Sequence, residues 1–259
     1  MSRPSPDALA EAVRRLRSAG CVAAEEEVEE LAAADDGASF LALVDRRCVG
    51  EPLAWVTGVT TFCGLSLFVD QGVYVPRWQS EPLAEQAAHL LPPEGRAIDV
   101  GTGSGALARV LAERRPGASI LGTELDPVAT RCAVRNGVEV VAGDLFEQVP
   151  VSWQRQVDVI VGVLPYVPTD QMSFLPRDVQ DFEPRDALDG GTDGLHFVGR
   201  AIEESPQWLR PGGHLLLEVG GDQPDLLIPR LRSAGFVTIT TLMDEENDPR
   251  GIAATMGDL

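Results

Sequence analysis

Residues 7–48 carry apolar positions at helical spacing only. Leu9, Val13 and Leu16, with Ala12 and Ala19, fall on one face, and Gly20 closes that stripe. Val28 and Leu31 begin a second stripe after the acidic run Glu25–Glu27, and Phe40, Leu41 and Val44 mark a third. The pattern predicts a small helical bundle. Between 55 and 76 the period shortens. Trp55–Val56, Thr61–Phe62–Cys63, Leu65–Leu67–Val69 and Val73–Val75 are short runs of strand formers separated by Gly58, Gly64 and Gly72. These predict a β-hairpin linker ended by Pro76. Leu83, Ala87, Leu90 and Leu91 then predict a helix that stops at Pro92–Pro93.

From residue 96 strands and helices alternate. Ala97–Val100, Ser119–Leu121, Val138–Val141, Val157–Val161 and His214–Val219 read as buried strands, with helices over 104–115, 126–135, 193–209 and 222–234. Such alternation predicts a parallel, doubly wound α/β sheet that binds ligands at the carboxyl ends of its strands. Two further strands, Val237–Leu242 and Ile252–Met256, follow around the acidic turn Asp244–Asp248. A terminal pair after the fifth strand suits a seven-stranded methyltransferase sheet better than a plain dinucleotide fold.

Composition narrows the classes without choosing among them. The 259 residues are 44% hydrophobic and 24% charged, ordinary for a globular chain able to bury a full core. No apolar run approaches the ~18 residues of a membrane span, and the N-terminus lacks a signal-peptide stretch. A soluble cytoplasmic protein with no membrane partner is expected. All 21 basic residues are arginine, against 40 acidic ones, and the net charge of −19 argues against nucleic acid as the main partner. Cys21, Cys48, Cys63 and Cys132 are scattered, as are His89, His196 and His214, so no metal site is expected.

The candidate chemistry begins at Gly101-Thr102-Gly103-Ser104-Gly105, which follows a strand and opens a helix. Glycines there let the chain turn tightly and bring its backbone close to a ligand. Gly101-x-Gly103-x-x-Ala106 also fits a dinucleotide fingerprint, so the loop alone leaves NAD and S-adenosylmethionine open. About twenty residues on, Glu124 ends the second strand, where a carboxylate accepts ribose hydroxyls in either class. Asp126, before Pro127, reads as a helix N-cap. Asp144 followed by Leu145 and Phe146 ends the third strand and suits an adenine ring, with an acceptor for its amine and a surface for its base.

At the fourth strand stands Gly162-Val163-Leu164-Pro165-Tyr166, at the position of the (N/D)PPY motif of amino-methylating enzymes. With the glycine loop, the chain resembles the HemK-type protein glutamine N5-methyltransferases, which modify peptide-release factors. Gly50–Gly58 and Phe62–Gly64 look like that family's hairpin. Pro76-Arg77-Trp-Gln-Ser80-Glu81 resembles its PRxxTE signature, with serine for threonine. Phe182–Leu195, Leu209–Gly213 before a strand and Glu218–Gly220 after it extend the match.

The resemblance implies a class I methyltransferase domain over 77–259, preceded by a helical domain over 1–50 and a hairpin linker over 51–76. It implies S-adenosylmethionine held by Gly101, Thr102, Gly103, Ser104, Gly105, Glu124, Asp144, Leu145 and Val163. It also implies an acceptor subsite at Val163, Leu164, Pro165 and Tyr166, with Pro165 and Tyr166 the catalytic positions and a protein, such as a release factor, as the substrate. One departure stands out. The family's asparagine column holds Val163, and valine cannot accept a hydrogen bond from the target amide. That change fits a methyltransferase with another acceptor, or a relative that binds the cofactor and transfers nothing. Arg77 is expected to tie the hairpin to the sheet domain. Glu183 and Arg185 are expected either to line the cleft or to pair locally.

Overall fold

The computed structural model describes residues 3–34 and 39–258. Three helices open the chain: α1 (Pro6–Ser18), α2 (Ala24–Ala33) and α3 (Phe40–Cys48). Ser5 caps α1 and Ser39 caps α3, each accepting from the backbone N–H three residues on. Their stripes meet in a small core of Ala12, Leu16, Val28, Leu31, Leu43 and Val44, which Val56 completes. Of the expected helical segment, residues 1–2 and 35–38 lie outside the described residues.

The hairpin is shorter than the sequence suggests. Trp55 and Val56, expected in a strand, lie in a short helix α4 (Leu53–Thr57) that ends at left-handed Gly58. Burial overrides β-propensity there, since Val56 fills the helical core and the Trp55 indole donates to the Val73 carbonyl at 2.9 Å. Only β1 (Val59–Phe62) and β2 (Leu65–Phe68) pair, in antiparallel register. Val73–Val75 joins no strand, and the Val75 N–H goes to the carboxylate of Glu183 at 3.2 Å. Asn136 fastens the hairpin by accepting from Phe68 N, donating to Phe68 O, and donating to Ser104 O in the glycine loop, each at 2.8 Å.

After α5 (Glu81–Leu90) comes a seven-stranded sheet: β3 (Arg96–Val100), β4 (Ser119–Glu124), β5 (Val140–Ala142), β6 (Val157–Gly162), β7 (Leu209–Glu218), β8 (Phe236–Met243) and β9 (Pro249–Met256). The spatial order is β5-β4-β3-β6-β7-β9-β8. The first five strands run parallel, and β9 pairs antiparallel with both β7 and β8. Helices α6 (Ala106–Arg114), α7 (Pro127–Arg135), α8 (Arg177–Phe182), α9 (His196–Glu204) and α10 (Gln223–Ser233) lie in the connections. This is the class I methyltransferase architecture. The helix expected over 193–209 is only α9, because Pro206 interrupts it and Leu209 already begins β7. Strand order reverses between β3 and β6, which opens a crevice at the carboxyl ends of the parallel strands. Among the described residues, no helix is long and apolar enough to cross a membrane.

Candidate active site

The crevice holds a cavity of about 580 Å³, a volume suited to a cofactor-sized ligand. Its floor is the turn after β3. Gly101 and Gly103 adopt φ of 68° and 58°, and a Cβ on Gly101 would lie 2.7 Å from Leu164 Cδ2. Asp99, fully buried beneath the turn, holds its shape by accepting from Thr102 Oγ1 at 2.5 Å and Ala108 N at 2.9 Å. Burial pushes the Asp99 carboxyl up to about 6.

Glu124 ends β4 at the cavity wall. One of its oxygens accepts from Gly103 N at 2.8 Å, and the other from Leu125 N at 2.8 Å and Asp126 N at 2.9 Å. The Gly103 N–H, of the kind that cradles phosphate in dinucleotide enzymes, is therefore already engaged by a carboxylate. Asp126 caps α7 through Val128 N at 2.9 Å and also lines the cavity. Asp144, after β5, is gripped by Arg200 Nη1 of α9 at 2.9 and 3.1 Å. Asp186 and Asp189 complete an acidic lining. No arginine or histidine is among the described residues that line the cavity. Apolar walls come from Val73, Leu145, Phe197 and the run Val163–Leu164–Pro165.

Eight of the expected site residues line this space: Gly101, Gly103, Glu124, Asp144, Leu145, Val163, Leu164 and Pro165. Four do not. Thr102 turns its hydroxyl down to Asp99, and Ser104 is buried with its carbonyl held by Asn136. Gly105 packs where a Cβ would meet Val138 Cγ2 at 2.7 Å. Tyr166 points its hydroxyl at Glu218 Oε1, 2.9 Å away, while its carbonyl accepts from Gln223 Nε2 at 2.8 Å. Tyr166 therefore sits behind the cavity wall. Glu183 and Arg185 do not pair with each other: Arg185 pairs locally, bonding Asp189 at 2.8 Å, while Glu183 ion-pairs with the distant Arg77. Arg77 and Glu183 join the segment after the hairpin to the loop that carries Asp186 and Asp189.

No protein-family model matches the chain. Curated relatives do match it. The release factor glutamine methyltransferase of Geobacter sulfurreducens is 37% identical over 221 residues, covering 83% of this chain and 75% of the relative. This chain belongs to the release factor glutamine methyltransferase family. The enzyme of that name from Cereibacter sphaeroides is 31% identical over 277 aligned positions, which cover 96% of this chain and 98% of that one. Among solved structures, the E. cuniculi Mtq2–Trm112 complex, described as responsible for methylating the eRF1 termination factor, aligns with a TM-score of 0.55 at 20% identity. That alignment covers 72% of this chain and 99% of the other, a likeness of fold. Membership removes the dehydrogenase reading that the glycine loop alone left open.

Several residues that shape this methyltransferase site carry no motif signal of their own. Asp99, Asn136, Arg200 and Gln223 act by holding the loop, the hairpin, Asp144 and Tyr166 respectively. Only the position of Asp99, two residues before the first loop glycine, offered a hint in sequence.

Proposed function

We propose that this family member transfers a methyl group from S-adenosylmethionine to the side-chain amide nitrogen of a glutamine in a protein of the peptide-release-factor class. The observation that carries the reading is the acidic, cation-free lining over a glycine loop whose Gly103 N–H is already held by Glu124. Such a lining suits a cationic ligand and repels a pyrophosphate. When bound, the cofactor supplies an electrophilic methyl group on a positively charged sulfur.

The chain's own residues bind and orient. Glu124 accepts from ribose hydroxyls, and Asp144, steadied by Arg200, accepts from the adenine amine beside Leu145 and Phe197. The target amide is a poor nucleophile because its lone pair is delocalised, so its hydrogens need fixed acceptors. Val163 offers none. Among the described residues nothing donates to the carbonyl of Leu164, which leaves it to accept from the amide, whereas the Pro165 carbonyl packs against Gly190. Tyr166, behind them, fixes the run in place.

Val163 also supports a second reading, a cofactor-binding protein that has lost transfer. Incubation with tritiated S-adenosylmethionine and a release factor separates the two. Label on one glutamine, located by mass spectrometry, is the expected result. Tight S-adenosylhomocysteine binding with no label selects the second reading.

A further inference from the structure

Two carboxylates are buried behind the acceptor end of the cavity, and the protein treats them differently. Glu183 is matched by the guanidinium of Arg77. Glu218, at the end of β7 and 5% exposed, has no ion-pair partner among the described residues. Its neighbours are hydroxyls. Tyr166 donates to Oε1 at 2.9 Å, and the Ser80 hydroxyl from the turn before α5 lies beside the same carboxyl. Ser80 Oγ and Glu218 Oε2 are both buried, and neither reaches a partner at hydrogen-bond geometry.

The Ser80 hydroxyl carries its own proton and can donate to an ionised Oε2 or accept from a protonated one, so this pair alone fixes neither state and burial decides. An ionised Glu218 would leave a full charge buried with two hydroxyl donors and no ion-paired cation to offset it, at a cost above that of a neutral acid. Four groups face this carboxyl: Ser80, Tyr166, the Tyr74 phenol on the cavity wall, and Arg250 on β9. Arg250 bonds Asp244 at 2.7 Å rather than Glu218, and its charge, like the Ser80 and Tyr166 hydroxyls, pulls the carboxyl down against the larger effect of burial. Burial raises the Glu218 carboxyl, which agrees with the geometry.

We infer that Glu218 is a positioning residue that holds a proton on Oε2 towards Ser80, accepts from Tyr166 through Oε1, and so fixes the Leu164–Tyr166 run that receives the target amide. Gln223 grips the other end of the same tyrosine, bonding its carbonyl and the Asp193 carbonyl while accepting from Gly220 N. The acceptor run is thus clamped at ring and backbone by two side chains that never touch substrate. This inference rests on the glutamine reading only for what the clamp serves, not for the clamp itself.

The test uses full-length protein with Glu218→Gln, Glu218→Leu and Tyr166→Phe. A glutamine presents an acceptor to Tyr166 and a donor to Ser80, as a protonated carboxyl does, whereas leucine presents neither. Hydrogen exchange at the Val167 amide, which bonds Leu188 O at 3.0 Å, reads the clamp without any substrate. Exchange should quicken roughly tenfold in Glu218→Leu and Tyr166→Phe, the equivalent of one lost hydrogen bond, and Glu218→Gln should restore most of it. The infrared carbonyl band of a protonated carboxyl should be present at neutral pH in wild type and absent from Glu218→Gln. On release factor, kcat should fall by a similar factor in the two disrupting variants while S-adenosylhomocysteine affinity holds. Equal damage from Glu218→Gln and Glu218→Leu, or no protonated band, overturns the inference. A wild type that labels no release factor refutes the functional reading instead, and leaves the exchange and infrared results to decide the clamp.

Discussion

Glu124 offers the sharpest quantitative test of the cofactor reading. A carboxylate has about four lone-pair sites. Three are used by the backbone N–H groups of Gly103, Leu125 and Asp126, which leaves one facing the cavity without cost. A ribose bringing two hydroxyls gains one charge-assisted hydrogen bond outright at the Gly103 oxygen, and its second must share the oxygen held by Leu125 and Asp126. Removing the carboxylate therefore costs about 1.5–3 kcal/mol of binding, or roughly 10- to 150-fold in Kd. Stability should change less, by about 1 kcal/mol, because Leu125 is exposed and water can reach the freed N–H groups there. Calorimetric titration with S-adenosylhomocysteine, beside a urea melt, reads both quantities. Glu124→Gln should fall between wild type and Glu124→Ala, since one amide oxygen cannot serve both backbone clusters. An unchanged Kd in a folded Glu124→Ala variant would refute the assignment of Glu124 to the cofactor.

The other predictions concern the acceptor, the loop and pH. Val163→Asn with Leu164→Pro supplies the missing side-chain acceptor and should raise transfer to release-factor glutamine by up to ~10²-fold; a fall in tritium transfer would mean that the natural acceptor presents an apolar surface here. Gly101→Ala should destabilise by about 1–3 kcal/mol in urea melts, because it places a Cβ at φ 68° and against Leu164, and wild-type stability would contradict that reading. Asp99, raised from 3.8 to about 6, binds its proton more tightly folded than unfolded. Its contribution, at most about 3 kcal/mol, is fully present below pH 3.8 and is lost as pH rises through about 6. Asp99→Asn should remove this dependence from its own profile, so that its stability gap from wild type changes across that window, and a parallel pair of pH profiles would count against it.

What was legible in the sequence was what is local. A strand, a glycine turn and a helix lie within twenty residues, so the loop, Glu124 and the Asp126 cap followed from spacing alone. The seven-stranded, mostly parallel sheet was legible too, because strand and helix periods alternate along most of the chain and a pair of strands closes it. What escaped depends on distant partners. Trp55 and Val56 have strand-forming side chains, yet their burial against the N-terminal helices makes them helical. Arg77 and Glu183 stand 106 residues apart, and nothing in either segment names the other. Tyr166 reads as a site residue from its motif, but its hydroxyl partner is 52 residues away on β7, which turns the ring from the cavity to the wall behind it.

The acidic lining has a bearing on turnover. In the proposed reaction the sulfur loses its positive charge when the methyl group leaves, while the negative charge of Glu124, Asp126 and Asp186, and of Asp144 and Asp189 beside their arginines, stays. The wall therefore attracts the incoming cofactor more strongly than the spent one. Exchange of one for the other is driven by the charge change of the chemistry itself, without any hinge or lid having to sense that transfer is complete.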